Sequence, residues 1–168
     1  MAPVRSAQRG RGERESEEIL DPTGSVRQAV WDARISRLRE IDPDNPNLTY
    51  FANPNSPPSP EALDHLDAAI EAASIKRVRD KVIPNGVPIG RRGGGRDIRE
   101  LPGGLDAARD LFDYLRVGGE ITNKPDLEGT LVKLPRSAGF ITFRPKSDSG
   151  SPAIDINVPG ARIKFHFP

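Results

Sequence analysis

Three stretches near the C-terminal end decide the fold: Gly139–Arg144 (GFITFR), Ala153–Val158 (AIDINV) and Arg162–Phe167 (RIKFHF). Each alternates apolar and polar residues, the period of a half-buried β-strand, and Pro, Gly, Ser or Asp clusters separate them. Thr130–Leu134 is a fourth segment of the same kind. Period-2 geometry sorts these strands into two faces. Ile141, Phe143, Ile154, Ile156, Val158, Ile163, Phe165 and Phe167 fall on one face. Thr142, Arg144, Asp155, Asn157, Lys164 and His166 fall on the other. Among the aromatics of this region, Phe140 alone alternates onto the polar side.

Upstream, Pro102-Gly103-Gly104 leads into a helix with Leu105, Ala108, Phe112 and Leu115 on one face, closed by Gly118-Gly119. Its apolar face should cover the apolar side of the strands. A helix followed by closely spaced strands predicts an α+β domain, here one helix and about four mainly antiparallel strands. Helical and irregular segments precede it. The expected division is a disordered leader over 1–24, a helical linker region with Pro- and Gly-rich loops over 25–98, and a compact α+β domain over 99–168.

Within the linker region, Ser25 is placed to cap a helix reaching about Ile41, with Trp31, Ile35 and Leu38 on one face. Pro43, Pro46, Pro54, Pro57 and Pro58 then argue against regular structure. Ser59-Pro60-Glu61 combines a hydroxyl cap, a first-turn proline and a first-turn acid. It opens a helix striped by Leu63, Leu66, Ile70 and Ala73, extended by Val78 and Val82 and stopped by Pro84. His65 lies beside the stripe as an ordinary surface histidine. Gly90-Arg91-Arg92-Gly93-Gly94-Gly95 lacks the Gly-Lys-Ser/Thr ending, the preceding strand and the following helix of a phosphate loop, so Gly86–Gly95 reads as a flexible basic linker.

Bulk properties narrow the chemistry. The 168 residues include 16 Gly and 17 Pro, and only 35% are hydrophobic, so the core is small and sits toward the C-terminal end. Residues 1–24 are polar and aperiodic. The net charge is +1, yet 76–99 carries eight Lys or Arg against Asp80 and Asp97, and 129–168 carries six against Asp148 and Asp155. Local positive charge of this kind suits phosphate contact. The absence of cysteine excludes disulfides, thiolate metal ligation and the Cys-rich zinc site of a nucleobase deaminase. No apolar run approaches the roughly 18 residues of a membrane span. The basic N-terminus lacks the apolar run of a signal peptide, so export would need a carrier.

The polar face carries the parts that metal-independent RNA cleavage requires: a base for the 2′-OH, an acid for the leaving 5′-oxygen and a cation for the phosphorane. Histidine titrates near neutral pH and suits either proton transfer. His166 is therefore the leading candidate, and Arg144, Lys164 or Lys133 could supply the cation. Ser147 and Ser149 in the turn after Arg144 could hydrogen-bond a phosphate.

The stretch from Arg99 to the end also resembles a C-terminal module of bacterial polymorphic toxins, carried at the tips of Rhs-repeat and filamentous-haemagglutinin-type proteins. The resemblance runs through Ile98-Arg99-Glu100-Leu101-Pro102-Gly103-Gly104, Gly129–Pro135, Phe143–Gly150, Pro152–Gly160 and Ile163–Phe167. Arg77–Val82 and Pro88-Ile89-Gly90 resemble the usual lead-in. Such modules are similar to the ribonuclease fold shared by barnase, EndoU, colicin and RelE type toxins, whose site lies on the sheet and uses no metal or cofactor. By position, the resemblance implies catalytic roles for His166, Arg144, Lys164, Ser147 and Ser149, with Lys133, Lys146 and Thr142 as RNA contacts. It further implies delivery by a carrier, action on RNA in a target cell's cytoplasm, no DNA partner, and an immunity protein presenting acidic residues to the basic surface. Ala153 stands where Thr is expected.

Two rival classes remain. In ADP-ribosyl transfer, Arg144 and Ser147-Asp148-Ser149 would match Arg and Ser-rich elements, but no Asp or Glu follows Asp155. A non-catalytic RNA- or protein-binding module, or a decayed toxin remnant, is the other. Sheet-based RNA binders usually stack bases on exposed aromatics, and most aromatics here alternate inward.

Overall fold

The computed structural model describes residues 24–51, 58–122, 124 and 126–168. Residues 1–23, which hold nearly all of the expected disordered leader, and 52–57, which hold Pro54 and Pro57, lie outside the described residues. The class is mixed α+β: helices packed with one seven-stranded sheet, rather than a sheet of four strands.

The N-terminal helices are α1 (Ser25–Ile41), the one-turn α2 (Leu48–Phe51) and α3 (Pro60–Val82). Gly24, in the left-handed region, occupies the cap position of α1, so Ser25 belongs to the helix and does not cap it. The cap of α3 forms as expected, with Ser59 Oγ accepting from the Ala62 amide at 3.1 Å. α2 breaks the expectation of irregular structure after Pro43. Its Phe51 is buried edge-on against Trp31, whose Nε1 donates to the Phe51 carbonyl at 2.8 Å. Burial of a ring and of an indole donor outweighs the weak propensity of four residues.

Trp31, Ile35, Leu38 and Ile41 of α1 form one cluster with Phe51 and with Leu66, Ile70 and Ala73 of α3. Val78 and Val82, further along α3, belong to a second cluster with the sheet. A single helix thus serves both. On the exposed side of α3, Lys76 donates to Asp80 at 2.8 Å. That hydrogen bond, reinforced by the carboxylate's charge, raises the lysine's pKa.

The sheet strands are β1 (Arg91–Arg92), β2 (Ile98–Glu100), β3 (Glu120–Thr122), β4 (Thr130–Lys133), β5 (Phe140–Arg144), β6 (Ala153–Val158) and β7 (Ala161–His166). Their spatial order is β1-β2-β7-β6-β5-β4-β3. Every neighbouring pair is antiparallel except β2 with β7, which is parallel. Helix α4 (Gly104–Leu115) lies between β2 and β3 in the chain, in the crossover from one side of the sheet to the other. Ala108, Leu111, Phe112 and Leu115 of α4 pack on the apolar sheet face, and Phe112 stacks on Phe143 at 5.2 Å. Leu105 is exposed instead of joining that face; Leu111 takes its place. All eight residues assigned to the apolar face of the strands are buried.

The Gly86–Gly95 segment is more structured than a flexible linker. Arg91 and Arg92 pair with Glu100 and Arg99. The Arg99 guanidinium donates to the carbonyls of Pro88, Ile89 and Gly90, which fixes the loop against β2. A guanidinium with five donors can hold several carbonyls at once, and no local sequence pattern announces that.

Candidate functional site

Register across the sheet places the polar residues in rows. Arg144 of β5 lies opposite Ala153 of β6, Ala153 opposite His166 of β7, and His166 beside Glu100 of β2. One row further in, Thr142 faces Asp155, and Asp155 faces Lys164. Paired residues share a face, so these side chains stand together on the sheet surface opposite α4.

The turn between β5 and β6 folds over the end of the first row. Ser147 Oγ donates to the Ser151 carbonyl at 2.6 Å and lies 2.9 Å from Ser149 Oγ. Ser149 Oγ and Ser151 Oγ lie 3.2 and 3.3 Å from His166 Nδ1. Both hydroxyls meet the imidazole at Nδ1, and Ser149 Oγ also lies 3.2 Å from Ser151 Oγ, so the serine turn fixes the ring's orientation and leaves Nε2 without a hydrogen-bond partner among the described residues.

His166, Ser149 and Ser151 line a depression of about 370 Å³ with Gly94, Ile98, Glu100 and Pro168. Glu100 also borders a neighbouring hollow of about 350 Å³ that includes Gly90, Arg91 and Leu101. Arg91 donates through Nε to Glu100 Oε2 at 2.7 Å, and its Nη2 lies 2.7 Å from the same oxygen. Oε1 has no hydrogen-bond partner among the described residues. Two larger hollows lie elsewhere, one at Arg37 and Gly118 and one along α3 at Lys76 and Asn85, and neither contains a candidate residue.

Arg144 and Lys164 form a separate group around Asp155. Arg144 Nη2 donates to Asp155 Oδ2 at 2.8 Å, and Lys164 Nζ lies 3.6 Å from Oδ1. Arg144 Nε is buried without a partner among the described residues. The carboxylate holds both cations on the sheet surface, next to the His166 row. Thr142 stands in register with this group. Ala153 is fully buried between Arg144 and His166, where a larger hydroxyl-bearing side chain would meet close packing.

Of the expected residues, then, His166, Ser147 and Ser149 come together. Arg144, Lys164 and Thr142 form the adjoining group. Lys133 is exposed on β4, and Lys146 is exposed in the turn, apart from the depression. Ser147 is buried and engaged with the turn's own backbone, so it shapes the turn that carries Ser149. Sequence reasoning missed Ser151 and Glu100. The serine-rich turn was a signal for the first. The second depends on the parallel pairing of β2 with β7, which the sequence does not display. Among the described residues, no three His, Cys, Asp or Glu side chains gather in a way that could hold a metal ion. His65 is exposed on α3. No described helix is long and apolar enough to cross a membrane. Comparisons with protein-family models, with curated proteins and with solved structures yield no match.

Proposed function

We propose that this chain is a metal-independent ribonuclease whose site is the depression around His166. The observation that carries the reading is the pairing, on one open surface, of an oriented imidazole with the Glu100 carboxylate beside it. Cleavage by internal attack needs two proton-transfer groups. In this reading Glu100 Oε1 takes the proton from the 2′-OH as O2′ bonds to phosphorus. Protonated His166 gives the Nε2 proton to the departing 5′-oxygen, leaving a 2′,3′-cyclic phosphate. Ser149 and Ser151 hold the ring, and the Arg144 and Lys164 cations lower the cost of charge on the phosphorane. Lys133, Lys146 and Thr142 are further RNA contacts.

The same proposal includes the setting implied by the resemblance to polymorphic toxin modules. There the ribonuclease-type fold is carried by a larger protein, acts on cytoplasmic RNA of another cell, and is restrained by an acidic immunity protein. The test is to incubate the protein and His166→Ala with total bacterial RNA in EDTA and to identify the fragment ends. Fragments with 2′,3′-cyclic phosphate, absent with the variant, support the reading. Intact RNA with folded wild-type protein sinks it and turns attention to ADP-ribosyl transfer or to a non-catalytic module.

A further inference from the structure

A third row crosses the same sheet face beyond Asp155. Lys133 pairs with Phe140, Phe140 with Asn157, and Asn157 with Arg162. All four are exposed, and Phe140 leaves 44% of its surface to solvent on a strand whose Ile141 and Phe143 are buried. A lone exposed aromatic is ordinary. This ring stands instead between a cation and an amide, with a second cation beyond. Neither Lys133 nor Arg162 has an ion pair or side-chain hydrogen bond among the described residues. Glu120, in register with Lys133 at the sheet edge, is the one acidic residue in the row.

We infer that Lys133, Phe140, Asn157 and Arg162 form a nucleotide-binding row for single-stranded RNA, with a base stacked on Phe140 and phosphates held by the two cations. Each residue type supplies one part of that recognition. Rings accept any base by stacking, an amide can meet a base edge, and unpaired cations take phosphates. Arg162 and His166 lie on one strand, four residues and therefore about 13 Å apart, a span that an extended RNA strand crosses in a couple of nucleotides. The row would thus bind a nucleotide near the cleaved bond. A duplex would keep its bases stacked inside and could not offer one to Phe140, so the substrate class is unpaired RNA. The assignment of RNA rests on the ribonuclease reading, whereas the row itself rests on its own geometry.

The experiment is fluorescence anisotropy with a short labelled oligouridine, 2′-O-methylated throughout so that no hydroxyl can attack. Wild type, Phe140→Ala, Phe140→Trp, Lys133→Ala and Arg162→Ala are compared, with thermal unfolding as the check on folding. Phe140→Ala should weaken binding about tenfold, the lower part of the range for one stacked base. Phe140→Trp should bind at least as well as wild type. Each cation variant should reduce the slope of log K against log salt by about one. Wild-type-like binding by Phe140→Ala overturns the stacking row, and so does failure of the wild type to bind, which would leave the face to a protein partner. Cleavage of unmodified RNA is scored separately. Binding that depends on Phe140 without cleavage keeps the row and removes the ribonuclease, and cleavage without that dependence does the reverse.

Discussion

Asp155→Ala tests whether one carboxylate holds the cationic group on the sheet. Arg144 and Asp155 have side chains 28% and 30% exposed, so their pair is neither a solvated surface contact nor a dry one. Exposed pairs contribute about 0.2–1 kcal/mol, while breaking a buried pair costs about 3–5 kcal/mol. Partial exposure puts this loss near 1–2 kcal/mol. The Arg144–Asp155 hydrogen bond at 2.8 Å supplies most of it, and Lys164, at 3.6 Å, adds little. Arg144 Nε has no partner among the described residues, so removing the acceptor leaves the guanidinium still less compensated. For a chain of this size the midpoint of thermal unfolding should fall by about 2–8 °C. The assay is urea unfolding followed by far-UV circular dichroism, in which the midpoint should move with the slope unchanged. If the uncompensated cation is the source, Arg144→Met with Asp155→Leu should cost less than Asp155→Ala alone. Unchanged stability in Asp155→Ala, or a double variant worse than the single one, would refute the reasoning.

Two further outcomes follow from particular contacts. Glu100→Gln should slow RNA cleavage by about a hundredfold or more. Its stability should change by less than about 0.5 kcal/mol, because the Arg91 partner is highly exposed; single-turnover kinetics and a thermal scan read the two effects separately. Gly139 has φ +114°, and a Cβ there would collide with the Asn157 carbonyl oxygen. Gly139→Ala should therefore destabilise by about 2–3 kcal/mol in urea titration, through strain and the disturbed β5–β6 register.

The three longer helices and the four longer strands are legible because their apolar residues recur at 3.6 or 2 over enough positions to exclude the alternative, whereas the single turn of α2 is too short to show a period. Phe140–Arg144 and Ala161–His166 are of this kind, and knowing their faces was enough to put Arg144, Lys164 and His166 on one side. β1, β2 and β3 have two or three residues each, too few for a period to show. β2 and β3 form because β7 and β4 offer them unpaired backbone groups, and β1 adds in turn to β2. Glu100 was lost with β2: its place beside His166 is set by a parallel pairing with a strand more than sixty residues away. The Arg144–Lys164–Asp155 group was half legible, since the shared face could be read but the grip of the carboxylate on both cations could not. Leu105 was misplaced by one turn because periodicity marks a face without marking where it ends.

α3 runs for 23 residues, about 34 Å, through both apolar clusters without interruption. Loosening the α1 contacts at Leu66 and Ile70 therefore strains the same rod whose far end seats Val78 and Val82 under the sheet. The two clusters should lose amide protection in a common opening event, and the helical portion acts as a brace whose removal would be felt at the strands that carry His166.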